Sequence, residues 1–270
     1  MRRAKKLLSL ALAAAMFVST FSSTAFASDM DDAYEVDRVD GKYAVVRVED
    51  DGEYYDSKSS ITIPSKIKSR TITRIGDGDS SIFASGGSEK NVYLPDTVDI
   101  ISDGAFEDST VKRVSMEEGP VEIGERAFAN CENLTSVTFA DSITKMGIEA
   151  FSGCTSLRSA TLPTSLTKIP DNAFQDCTDL RSVTIGSYVT SIGDSAFAGC
   201  DSLEEVTIPP NVTRIGYDAF DDFTLIKGYN GTAAQKYAEE NDIDFENLGS
   251  SYGAAVRLST TSLTVAVNGT

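Results

Sequence analysis

Cys177-Thr-Asp-Leu180-Arg-Ser-Val183-Thr-Ile185-Gly-Ser-Tyr-Val189-Thr-Ser-Ile192-Gly193-Asp-Ser-Ala196-Phe197 decides the fold, because the chain repeats this phrase along its length. The closing Ala-Phe pair recurs at Phe106, Phe128, Phe151, Phe174, Phe197 and Phe220, first 22 and then 23 residues apart. The four cysteines, Cys131, Cys154, Cys177 and Cys200, keep the same 23-residue step. A fixed period in the twenties predicts a solenoid with one supersecondary unit per turn. Such a stack presents a long surface, so the sequence speaks first of architecture and only indirectly of function.

Within a unit, Val137-Thr138-Phe139 alternates as a short half-buried strand does. A turn follows, carrying Pro163 or Pro209 in some copies and Pro64 or Pro95 in earlier ones. A second extended piece comes next, such as Val189–Ile192. After Gly193, the Asp-Ser-Ala-Phe segment reads as one helical turn with Asp194 as its cap. No unit has room for a full helix. Stacked coils should form a parallel sheet on one side and bury columns of Phe, Cys, Leu and Val. One unit cannot fold alone, but a stack can.

The phrase Cys-x-x-Leu-x-x-Val-x-Ile-Pro…Val-x-x-Ile-Gly-x-x-Ala-Phe resembles the leucine-rich repeats of bacterial surface proteins of the BspA-like type. It occurs four times with good fidelity. Weaker copies precede it: Val92–Phe106 with Ser109 at the cysteine position, Val111–Ile123, and Ile61–Gly76 as the opening repeat. The resemblance implies a leucine-rich-repeat solenoid with short parallel β-strands and minimal helical turns. It also implies a β-rich N-terminal cap and a helix-plus-strand C-terminal cap. Tyr43–Val48 followed by the turn Asp50-Asp51-Gly52 fits the first cap. Gly228–Asn241 and Ile243–Phe245 fit the second, and counting by period puts Phe223 in the cysteine position of the last turn.

The expected organisation is a signal peptide over 1–27, an N-terminal cap over 28–60, repeats over 61–225, a C-terminal cap over 226–248, and a linker with an incomplete strand over 249–270. The signal reading rests on basic Arg2, Arg3, Lys5 and Lys6, an apolar Leu7–Val18 too short to span a bilayer, and the cleavage pattern Ala25-Phe26-Ala27. No later stretch is long and apolar enough for a transmembrane span, so an extracellular or cell-surface location is expected. Arg257–Thr270 resembles the first strand of a bacterial Ig-like domain.

The chain carries 24 Lys and Arg against 41 Asp and Glu, a formal charge of −17, and loses four more basic residues with its signal. Nucleic acid and anionic lipid should be repelled. There is no histidine, which removes the commonest general base and metal ligand and the serine–histidine and cysteine–histidine nucleophile systems. Neither a catalytic residue nor a metal or cofactor is expected. The Asp77–Ser81 loop lacks the glycine and the final acid of an EF-hand. The four cysteines should stack in one inward column, with side chains pointing the same way rather than at each other. That favours small buried thiols over disulfides.

The sheet face is the candidate site. Ser115, Thr138, Thr161, Thr184 and Thr207 should form one outward column, and Arg113, Ser136, Ser159, Ser182 and Glu205 the next. Lys112, Thr135, Arg158, Arg181 and Glu204 lie beside them. Lys112, Arg113, Arg158 and Arg181, with Thr138, Thr161 and Thr184, would then contact an extracellular protein or glycan. The competing reading is that Thr and Ser merely suit an exposed strand and that Arg keeps it soluble. Three functions remain open: an adhesion or protein-binding scaffold, a passive stalk in a modular surface protein, and a histidine-free hydrolase.

Overall fold

A computed structural model describes residues 34–48, 59–79, 81–82, 90–116 and 118–250. The signal segment, the Asp50–Gly52 turn and the Arg257–Thr270 strand lie outside the described residues. The described chain opens on a hairpin of β1 (Tyr34–Val39) and β2 (Lys42–Val48). Its turn is Asp40-Gly41, with φ of 49° and 80°. Two positive φ values make a primed turn whose twist matches the flanking strands. β3 (Ser60–Thr62) follows, then the antiparallel pair β4 (Lys66–Ile67) and β5 (Arg70–Ile75).

From there each turn of the coil contributes two short strands. They are β6 (Lys90–Tyr93) and β7 (Ile100–Ile101), β8 (Val111–Ser115) and β9 (Glu122–Ile123), β10 (Ser136–Thr138) and β11 (Lys145–Met146), β12 (Ser159–Thr161) and β13 (Lys168–Ile169), β14 (Ser182–Thr184) and β15 (Ser191–Ile192), and β16 (Glu205–Thr207) and β17 (Arg214–Ile215). The described chain closes on β18 (Leu225–Asn230), α1 (Ala233–Asn241) and β19 (Phe245–Ser250).

Two parallel ladders run up the coil where one sheet was expected. The first strands pair as β3-β6-β8-β10, β12-β14 and β16-β18-β19. The second strands pair as β2-β5-β7-β9-β11 and β13-β15-β17. The extended piece Val189–Ile192 thus ends in a strand, Ser191–Ile192, of a sheet in its own right, pairing Ser191 with Lys168 and Arg214.

The segment before each phenylalanine is not a helical turn. The residue two before the Phe is left-handed in every copy: Gly104, Arg126, Glu149, Asn172, Ser195 and Asp218. So is the residue two after it in Asp108, Asn130, Gly153, Asp176 and Gly199. A left-handed residue ends a right-handed helix at once, so the chain doubles back and the Ala-Phe backbone faces the neighbouring turn. Phe106 N donates to Ala127 O at 2.7 Å, and the bond recurs from Phe128 to Ala150, Phe151 to Ala173, Phe174 to Ala196 and Phe197 to Ala219. Asp194 therefore does not cap its own turn. Its carboxylate accepts Tyr217 N of the next turn at 3.0 Å, as Asp171 accepts Asp194 N at 2.9 Å. Gly193 lets the turns close to this distance, because a Cβ there would lie 2.4 Å from Asp171 N.

The core is columnar. Neighbouring rings from Phe106 to Phe220 stack with centroids 4.7–5.3 Å apart and planes within 8°. Tyr237 of α1 ends the column edge-on, 6.0 Å from Phe220. Each buried Phe or Leu contributes roughly 1.5–3 kcal/mol. The four cysteines are free and fully buried. Each thiol donates to the carbonyl of the phenylalanine one turn back: Cys131 to Phe106 at 3.0 Å, Cys154 to Phe128 at 3.1 Å, and Cys177 to Phe151 and Cys200 to Phe174 at 3.2 Å. Burial pushes the Cys154 and Cys200 thiols up, so both stay neutral. Ser109 extends the column, with its hydroxyl 3.4 Å from Cys131 Sγ. Phe223 does not: it is 52% exposed, and the buried residue there is Thr224, which donates to Leu203 O at 3.0 Å. The period shortens at this point, because β18 pairs Leu225 with Glu205.

Candidate functional site

The outer face of the first ladder collects the candidate residues in register. Thr62 lies beside Tyr93, Tyr93 beside Ser115, and Ser115 beside Thr138. Thr161 lies beside Thr184, and Thr207 beside Lys227. In the next column Ser60, Asn91, Arg113 and Ser136 are neighbours, as are Ser159 and Ser182. The adjoining column is tied by backbone bonds from Thr135 N to Lys112 O at 2.9 Å and from Arg181 N to Arg158 O at 3.0 Å. Thr138, Thr161, Thr184, Arg113, Arg158 and Arg181 are exposed, and Lys112 is half-buried. All seven ligand-face candidates thus lie on the first-ladder strands or immediately before them.

Ion pairs hold several cations off that face, although Arg38, Arg47, Lys66, Arg70 and Lys168 make none with the described residues. Lys42 pairs with Asp99 at 3.0 Å, Arg74 with Asp40 at 3.2 Å, and Arg126 with Glu149 at 2.9 Å and with Glu107. Lys145 reaches Glu122 at 3.6 Å and Arg214 reaches Asp194 at 3.7 Å. Arg113, Arg158 and Arg181 take part in no ion pair with the described residues. On the next strand Glu205 is already engaged by Lys227 at 2.7 Å, which also reaches Glu246 at 3.4 Å. The Glu205 hydrogen bond leads in holding the Lys227 pKa above its ordinary value.

Several members of the face escaped sequence reading, among them Ser60, Thr62 and Asn91. Tyr93, 44% exposed, belongs to the threonine column, and Lys227 and then Glu246 follow Thr207 in it. The parallel between Ile61-Thr62-Ile63-Pro64 and Val92-Tyr93-Leu94-Pro95 was the available signal for Tyr93. On the second ladder a cleft of 440 Å³ is lined by Glu122, Glu125, Lys145, Lys168 and their neighbours. Among the described residues no group of three or more acids or cysteines is placed to hold a metal ion. No described helix is long and apolar enough to cross a membrane.

Two parallel ladders, a stacked aromatic column and a helix-and-strand cap define a leucine-rich-repeat solenoid. The chain belongs to the family described as BspA type Leucine rich repeat region, which matches in six copies over residues 53–120, 73–188 and 99–227. A leucine-rich cell surface protein from Faecalibacterium prausnitzii is similar in fold, with 24% identity and a TM-score of 0.59, covering 79% of this chain. The chain spans 55% of that protein's length. A leucine-rich repeat protein of T. pallidum is also similar, with 21% identity and a TM-score of 0.52, over 80% of this chain and 96% of its own. No curated protein matches the chain.

Proposed function

We propose that this protein is an extracellular or cell-surface binding scaffold without catalytic activity, and that it engages an acidic partner through the outer face of the first ladder. The observation that carries the reading is the unpaired state of Arg113, Arg158 and Arg181 on a chain with far more acid than base. In such a chain a guanidinium meets carboxylates easily, and an exposed cation without one is available to a ligand. The secretory signal at 1–27 would place the face outside the cell, and repeat proteins commonly bind along such surfaces. The absence of histidine and the burial of all four thiols support a non-catalytic role.

Immobilised acidic proteins and acidic glycans test it. The double reversal Arg158→Glu with Arg181→Glu should reduce retention at least about 10-fold, which is about 1.4 kcal/mol. Retention unchanged by the reversal would remove the face from consideration. The resemblance of Arg257–Thr270 to an Ig-like strand favours a second reading, a passive stalk. A stalk would bind none of these partners.

A further inference from the structure

We infer that the partner of this face is a linear anionic polysaccharide, bearing sulfate or carboxylate groups and lying along the stacking axis across β8 to β14. The inference rests on the binding reading above and narrows it to one chemistry.

Charge gives the first argument. Arg158 and Arg181 occupy the same position immediately before the adjacent strands β12 and β14, joined by the 3.0 Å backbone bond, with neither guanidinium met by a carboxylate. Parallel strands stand ~4.8 Å apart, and like charges directly opposite on neighbouring strands repel. An anion seated between the two relieves that repulsion and accepts planar, two-point hydrogen bonding from each. Arg113 on β8 adds a cation beyond Thr135 and Ser136 of the intervening turn, so the guanidinium groups span roughly 14 Å along the axis. A ligand with repeated anionic groups on one axis matches such a track.

The rest of the face gives the second argument. Ser159 and Ser182, and Thr161 and Thr184, present hydroxyls in register beside the arginines. Protein interfaces are built around aromatic, Met and apolar anchors in a desolvated centre and are depleted in Ser. The large exposed hydrophobics among the described residues are Tyr93, Val121, Ile148, Tyr188, Tyr217, Phe223 and Leu248. None of these lies on a first-ladder strand from β8 to β16. From β8 to β14 the face carries hydroxyls and guanidinium groups, with the exposed aromatic Tyr93 beyond its edge on β6, and such a stretch suits a hydrated, hydroxyl-rich chain with anionic groups better than a folded protein.

The test titrates dextran sulfate, polygalacturonate, neutral dextran and poly-L-glutamate into the wild-type chain and into Arg158→Gln/Arg181→Gln by calorimetry at 0.15 M salt. The variant side chains are exposed and unpaired, so its thermal midpoint should stay within about 2 °C of wild type. The expected result is that at least one anionic polysaccharide binds, more tightly than poly-L-glutamate. Neutral dextran should not bind, and the variant should lose at least about 10-fold. Poly-L-glutamate binding more tightly than both polysaccharides, and weakened by the variant, overturns the polysaccharide inference and leaves the face as a binding site. Polysaccharide binding undiminished in the variant overturns both. Failure of both polysaccharides to bind overturns the inference.

Discussion

The Phe220 N–H donates to the Tyr237 hydroxyl at 3.1 Å, and that hydroxyl in turn donates to Phe220 O at 3.4 Å. In every earlier turn from Phe106 the Phe N–H is taken by an alanine carbonyl one turn on. Tyr237 therefore supplies from α1 what a further repeat would have supplied, together with an edge-on ring for the end of the aromatic column.

Tyr237→Phe keeps the ring and strands a buried backbone donor. It should lose about 1–3 kcal/mol, the usual penalty for an unsatisfied buried group. Urea unfolding against Tyr188→Phe, whose ring is 68% exposed, checks this. Equal midpoints for the two variants would show that the hydroxyl does not close the ladder.

Phe174→Ala removes a fully buried ring stacked on both sides, 5.3 Å from Phe151 and 5.3 Å from Phe197. A loss of about 3–5 kcal/mol is expected. Chemical denaturation measures it, and a loss below about 1 kcal/mol would mean the column does not hold the stack together.

Thiol titration should find four reactive groups in denaturant and far fewer in the native protein, because all four cysteines are free and buried. Finding no reactive thiol in denaturant would establish disulfides instead.

Alkali should destabilise the fold. Burial leads in raising the Cys154, Cys200 and Tyr237 pKa values above their ordinary ones. As pH rises, the unfolded chain ionises first, from roughly 8.5 for thiols and 10 for tyrosine. The stability these groups contribute is thus full below about pH 8.5 and declines as pH climbs toward the raised native values. Denaturation midpoints measured from pH 7 to 11 should fall across that window. Constant midpoints would contradict the burial argument.

Salt should affect ligand binding in two directions. At about 0.15 M the Debye length is roughly 8 Å, so a ligand on Arg158 and Arg181 is shielded from more distant acids. At 0.01 M it is roughly 30 Å, and the whole negative chain repels an anion. At 1 M the contacts themselves are screened. Affinity for dextran sulfate should peak at intermediate salt, and a steady rise toward 0.01 M would show that the overall negative charge does not oppose binding.

The aromatic and thiol columns were legible because identical residues return at an identical step, and only stacking gives such a repeat a purpose. The second ladder was half-legible: Val189–Ile192 reads as extended, but its pairing depends on left-handed residues such as Ser195 and Glu149, types with no strong preference for that conformation. Asp194 was misread for the same reason. The capping rule looks within one turn, whereas its carboxylate serves the next. Phe223 was misplaced because counting by 23 assumes a period that the terminal strand β18 abandons. Asp40-Gly41 carried a plain hairpin signal that attention to Asp50–Gly52 passed over. For the candidate face, sequence gave the columns but not the pairing state of the arginines. That state depends on where long side chains from other turns end.

The inter-turn bond from the Phe N–H to the next Ala carbonyl, made from Phe106 through Phe197, runs in one direction only. The turns between them thus hand the same connector to the successor and receive the same one from the predecessor. A duplicated 23-residue unit would find matching connectors on both sides. Length in this molecule is therefore a freely adjustable parameter, and the outer face is a ruler graduated at ~4.8 Å, on which a single substitution changes one mark and leaves the scale intact.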